Sequence, residues 1–120
     1  MKISIPVAQN QGHESTISEH FGRTPYFAFI EIDDNGRHVI EVEENPLESH
    51  KPGDVPRYLS QKNVDKLIVR GVGARAIAYF QQMGIEVIRG VDGTVEEIID
   101  AYKNKKLSSK EYTPSDKHLH

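Results

Sequence analysis

The sequence predicts an α/β fold: a mixed five-stranded sheet with helices packed against it. Three observations carry this. Three strand-like segments come first, and Asp34-Asn35-Gly36 separates the second from the third as a hairpin turn. Helical and strand patterns then alternate to the end of the chain. The last helix opens on Thr94 with Glu97 three residues later, the signature of a capping box. A hairpin-linked antiparallel trio followed by βα units builds a single mixed sheet.

Residues 2–7 read as the first strand, with Ile3, Ile5 and Val7 on one face. Residues 8–24 read as a long polar loop, a length that is usually functional. The second strand is the apolar run 26–32. Asn35-Gly36 suits the positive φ of a type I′ turn, and residues 37–44 return as a third strand. There His38, Ile40, Val42 and Glu44 alternate with Val39, Glu41 and Glu43, a half-exposed pattern that belongs at an edge. Asn45-Pro46 breaks the strand, and 46–53 form a second loop containing His50 and Gly53. Asp54 is expected to cap a helix running to about Asn63, with Pro56 in its first turn.

Residues 64–70 predict the fourth strand. Gly71-Val72-Gly73 then turns into a helix with a stripe of Ala74, Ile77, Ala78 and Phe80, closed by Gly84. Residues 85–88 are the fifth strand. In the last helix Val95, Ile98, Ile99 and Tyr102 repeat at helical spacing, ahead of Lys103, Lys105 and Lys106. Residues 108–120, including His118 and His120, have no periodicity and read as a flexible tail, which leaves 1–107 as one domain. The element order matches the ribonuclease H-like arrangement, with strand order 3-2-1-4-5 and strand 2 antiparallel.

Composition narrows the function. The chain has 120 residues, 37% hydrophobic and 28% charged, and a net charge of −3 with both signs scattered. That balance argues against a nucleic-acid surface. There is no cysteine, so disulfides, zinc–thiolate sites and a cluster held by this chain's own thiolates are all excluded. No run approaches the roughly 18 apolar residues of a membrane span. The N-terminus reads as a strand and not an export signal, so a cytoplasmic location is expected. A metal-dependent nuclease of this architecture needs an acid in its first strand, where this chain has Ile3-Ser4-Ile5-Pro6-Val7. Asp65, near the start of strand 4, sits toward the wrong end. No Gly-x-Ser-x-Gly elbow and no identifiable base-orienting pair accompany Ser18, and no enzyme is expected.

With strand 2 antiparallel and right-handed crossovers, strands 1, 3, 4 and 5 run the same way. The loops leaving them then share one rim, the usual place for ligands in an open α/β sheet. Those loops carry His13 and His20, His50, Gly71-Val72-Gly73, and Arg89-Gly90. The glycine turn has neither dinucleotide spacing nor a Walker lysine. It reads first as a tight βα turn and second as an anion cradle, with Arg75 nearby.

The most specific stretch is Ser18-Glu19-His20-Phe21-Gly22-Arg23, followed by Thr24-Pro25 and a strand. By residue type His20 is either a solvated loop residue or an imidazole offered to a metal or cluster. This motif occurs together with Met1-Lys2-Ile3-Ser4-Ile5-Pro6-Val7, Glu44-Asn45-Pro46, and Arg89-Gly90 before Gly93-Thr94-Val95-Glu96-Glu97. In that order it resembles the dinitrogenase iron–molybdenum cofactor biosynthesis family over roughly residues 1–107.

The resemblance implies a ribonuclease H-like fold and a non-catalytic carrier. Its cargo would be the iron–molybdenum cofactor or an iron–sulfur precursor, passed between donor and acceptor proteins. His20 is then the principal ligand, with His50 or His13 assisting, and Glu19 and Arg23 set orientation and charge. On the residues themselves, an anionic cluster would also use the N–H groups of the Gly71–Gly73 turn with Arg23, Arg70 or Arg75. Family members often carry a cysteine or a richer His/Gly segment after the Asn-Pro, where this chain has only His50. Two other readings stay open on the residues: an anion- or small-molecule-binding regulatory module using the Gly71–Gly73 turn, and a protein-interaction domain without metal.

Overall fold

The computed structural model describes residues 1–19, 21–47 and 51–108. His20, His50 and nearly all of the expected tail therefore lie outside the described residues. The sheet comprises β1 (Lys2–Val7), β2 (Tyr26–Ile32), β3 (His38–Glu44), β4 (Lys66–Ile68) and β5 (Glu86–Ile88). Their order is 3-2-1-4-5, with β2 antiparallel to both neighbours and β1, β4 and β5 parallel. The expected order is the observed one. The helices are α1 (Asp54–Gln61), α2 (Ala74–Gln82) and α3 (Val95–Lys103).

Alternation along the strands splits the core in two. Ile3, Ile5, Val7, Ala28 and Ile30 face α3 and its Val95, Ile98 and Ile99. Phe27, Phe29, Leu67 and Val69 face the other side, with Val55 and Leu59 of α1 and Phe80 of α2. Period-two strands thus present apolar side chains to both helical layers. Ser4 is the discordant residue: it is fully buried on β1, and its hydroxyl has no hydrogen-bond partner among the described residues.

Local chemistry corrects several expected boundaries. The β2–β3 connection is not type I′, because only Gly36 has positive φ (81°). Asp33 organises it: its carboxylate accepts from the N–H groups of Asn35 and Arg37, and its carbonyl accepts from Gly36. This is a type I turn closed by a left-handed glycine. Gly53, not Asp54, is the N-cap of α1, and Asp54 is its first helical residue.

All three helices stop in the same way. Asn63, Gly84 and Lys105 adopt left-handed φ, and the next residue donates back to Leu59, Phe80 and Ala101 respectively. Such Schellman closure ends α1 at Gln61, ahead of the expected Asn63. On α2 the inward stripe is buried Phe80 with half-buried Ala76 and Met83; Ala74 and Ala78 are exposed. β4 is shorter than expected, although Val69 still donates to Ile88 and Gly90 to Arg70 beyond its end.

The long segment 8–25 is largely tied to the fold. Val7 bridges Ile17, Ala8 donates to the Thr16 carbonyl, and Ser18 donates to the Pro6 carbonyl at 2.8 Å. Farther out, Ile17 donates to Gly93 and Val95 donates to Ser15. The β1–β4 ladder involves only Ile3 and Ser4, so residues 16–18 occupy the flank of β1 that β4 leaves open. Pro6 is tolerated in a central strand because its missing N–H falls there. Gly93 is required where it stands: its φ is 116°, and a Cβ would lie 2.9 Å from the Glu97 carboxylate that caps α3.

Candidate functional site

The C-terminal ends of β1, β3, β4 and β5 share one end of the sheet, as the topology predicts. Two loops meet on this rim. Thr24 is buried, and its hydroxyl lies 2.9 Å from the carbonyls of both Val7 and Tyr26, closing the motif against the start of β2. Asn45 then clasps the motif from the end of β3. Its side-chain N–H donates to the Thr24 carbonyl at 3.0 Å, and its backbone N–H donates to Pro25 at 2.9 Å. The Asn45 carboxamide oxygen accepts from Leu47, forming an Asx turn that starts the second loop. The exit of the His20 loop and the entry of the His50 loop are therefore one hydrogen-bonded unit.

The other side of the motif is held by β4 and α2. Phe21 opens a short 3-10 turn, Phe21–Arg23, and packs edge-on against Phe80 with ring centroids 5.6 Å apart. Glu19 lies 3.8 Å from the Arg70 guanidinium at the end of β4, both half-exposed. Arg23 is exposed and lines an open cleft with Thr24, Pro25, Asn45 and Leu47. Glu19, Phe21 and Arg23 flank His20 in sequence, and each is placed on this rim.

Gly71-Val72-Gly73 leads into α2 as expected. Val72 packs into the core, while Gly73 is the N-cap with no side-chain cap bond. Its φ of −74° and the open space around it would accept any residue. Exposed Arg75 lies in the first helical turn. An uncapped helix start with a cation beside it suits an anion.

His13 is placed elsewhere. It lies on a 3-10 turn, Gly12–Glu14, and its Nε2 is 2.8 Å from Nε2 of His38. His38 opens β3, at the end of that strand opposite Glu44. The Lys103 ammonium, at the end of α3, approaches His38 Nδ1 at 2.7 Å. Burial, then the Lys103 charge, then His13 hold the His38 pKa below its ordinary value. Among the described residues no set of three or more His, Asp or Glu side chains converges to hold a metal ion.

Sequence reasoning did not anticipate Thr24 and Asn45 as the clasp, or His38 as the partner of His13. Asn45 before a proline carries a turn signal, but nothing in sequence says which carbonyl its amide will reach.

The comparisons with known proteins agree with this architecture. Residues 1–105 match the family described as dinitrogenase iron-molybdenum cofactor. A Methanocaldococcus jannaschii protein, MJ0580, is 30% identical over 110 residues, 89% of each chain. The crystal structure of PH0822 superposes with a TM-score of 0.82 at 35% identity, covering 92% of this chain and 96% of that one. The NMR structure of the NifB-like protein TM1290 from Thermotoga gives a TM-score of 0.70 at 31% identity, covering 93% and 96%. No helix among the described residues is long and apolar enough to cross a membrane.

Proposed function

Because the chain belongs to the dinitrogenase iron-molybdenum cofactor family, we propose that it is a non-catalytic carrier of an iron–molybdenum or iron–sulfur cluster, taking it from a donor protein and releasing it to an acceptor in the cytoplasm. In this reading residues 1–107 form the carrier domain. His20 is the exchangeable ligand, and His50 is the second imidazole on the joined loop. The observation that carries the reading is the clasp of Thr24 and Pro25 by Asn45, which fastens the two histidine-bearing loops to each other on the ligand-binding end of the sheet.

The surrounding chemistry fits a cargo that must be given up. Imidazole is a neutral ligand, and two of them bind less tenaciously than a thiolate cage. An anionic cluster is also attracted by Arg23, Arg70 and Arg75 and by the uncapped start of α2. Those same groups favour a second reading, a small-anion site at Gly71–Gly73, over one with no ligand at all.

The test is anaerobic titration of the apo-protein with iron–molybdenum cofactor, or with an iron–sulfur precursor, followed by gel filtration, metal analysis and EPR. Stoichiometric co-elution is expected, abolished by His20→Ala and weakened by His50→Ala. It should also weaken below about pH 6, where free imidazole becomes protonated. A wild-type chain that carries no cluster through the column would sink the carrier reading and leave the anion site to be tested with phosphate or molybdate.

A further inference from the structure

His13 and His38 lie away from the clasped loops, and their geometry does not depend on the carrier reading. We propose that these two residues form a separate two-imidazole site for a divalent late transition-metal ion of the copper or nickel type.

The spacing is the first argument. Two imidazole nitrogens bound to one ion at about 2.0–2.1 Å lie about 2.9 Å apart when cis in a square plane, and about 3.4 Å apart in a tetrahedron. The two Nε2 atoms are 2.8 Å apart here, with the rings inclined at 69°. The spacing is that of the cis arrangement; the rings, aimed at each other in this hydrogen bond, turn about their side-chain bonds to bring both lone pairs onto one ion. Tetragonal sites with nitrogen and oxygen donors suit Cu(II) and Ni(II). The pair opens into a cleft of about 630 Å³, where water supplies the oxygen donors.

The backbone on both sides is already fixed. His13 sits on a turn closed by the Glu14 and Ser15 N–H groups donating to Gln11 and Gly12, and His38 is locked in the β2–β3 ladder opposite Ile32. Little ordering entropy remains to be lost when an ion binds.

Proton positions make the argument sharper. A lysine ammonium only donates, so His38 Nδ1 accepts from Lys103 and the His38 proton sits on Nε2. That proton is donated to His13 Nε2, so both rings are neutral, the form a metal needs. When the ion binds, the His38 proton must shift to Nδ1, and Lys103 must withdraw. Lys103 is therefore a built-in competitor for the site, and a merely structural contact would not behave that way.

The test uses the full chain with Cu(II) alone, by calorimetry and EPR, with Ni(II) calorimetry alongside. One tight copper per chain is expected, with hyperfine splitting from two imidazole nitrogens. His13→Ala and His38→Ala should each lose one nitrogen and at least about tenfold in affinity, whereas His20→Ala and His50→Ala change neither. Lys103→Met removes no ligand and should tighten binding several-fold. Copper held equally by the His13→Ala/His38→Ala double variant, or no more tightly by Lys103→Met, overturns the proposal. Lys103→Met keeps it testable if a histidine variant fails to fold.

Discussion

The two halves of the long segment after β1 are held by different means. Residues 8–18 are stitched by the backbone: Ala8 to Thr16, Ser18 to Pro6, Ile17 to Gly93 and Val95 to Ser15. Ser15 and Ile17 are buried there as fully as core residues. Residues 19–25 are held chiefly by side chains, namely the Phe21–Phe80 contact, the Thr24 hydroxyl, the Asn45 clasp and the long Glu19–Arg70 pair. The first half completes the fold on the open flank of β1. The second presents a short motif whose placement can be changed one side chain at a time.

The largest expected effect falls in the stitched half. Ile17→Ala removes a side chain only 5% exposed from the core cluster that also holds Val7, Val91 and Val95. It should cost about 2–5 kcal/mol of global stability, read by urea denaturation, because the β1 flank cannot collapse onto the cavity. A loss below about 1 kcal/mol would show that residues 8–18 are an appendage, and the contrast between the halves would fail.

Thr24→Val sharpens the contrast from the other side. It keeps the shape of the side chain and deletes the hydroxyl that sits against the Val7 and Tyr26 carbonyls. The expected cost is about 1–3 kcal/mol for the buried groups left unpaired. Hydrogen exchange should quicken locally, in residues 19–25 and around Asn45, and not at Ile17. Exchange that quickens equally in both halves would mean that the segment opens as one unit.

How much of this was legible in the sequence follows the same division. Strand order, the parallel rim and the Thr94–Glu97 cap rest on periodicity and on local chemistry, both written in consecutive residues. The phase of α2 is legible only in part: Phe80 is buried as its place in the stripe suggests, but Ala74 and Ala78 are apolar and exposed, while half-buried Ala76 and Met83 pack inward. Asp33 was missed because Asn35-Gly36 is the louder turn signal, yet the aspartate's carboxylate sets the turn type. The tethering of 8–18 and the pairing of His13 with His38 join residues on different elements, 25 positions apart in the latter case. No local pattern carries such contacts. That the loops leaving β1 and β3 meet on one rim needs only strand direction, whereas His13 follows its loop back to the start of β3.

The smallest expected effect on stability is at Glu19, and it separates structure from function most cleanly. Its carboxylate is 3.8 Å from Arg70, with side chains 43% and 31% exposed respectively. At that distance and exposure the pair contributes at most about 1 kcal/mol, and solvent and salt screen much of it. Glu19→Gln should therefore leave the urea midpoint nearly unchanged. If an anionic cluster binds beside it, removing one negative charge should instead tighten binding, by an amount that shrinks as salt is raised. An unaltered cluster affinity at low salt would show that Glu19 and Arg70 lie outside the field of the cargo. A weakened affinity would mean that the carboxylate acts on His20 directly, orienting its ring, and that role outweighs its charge.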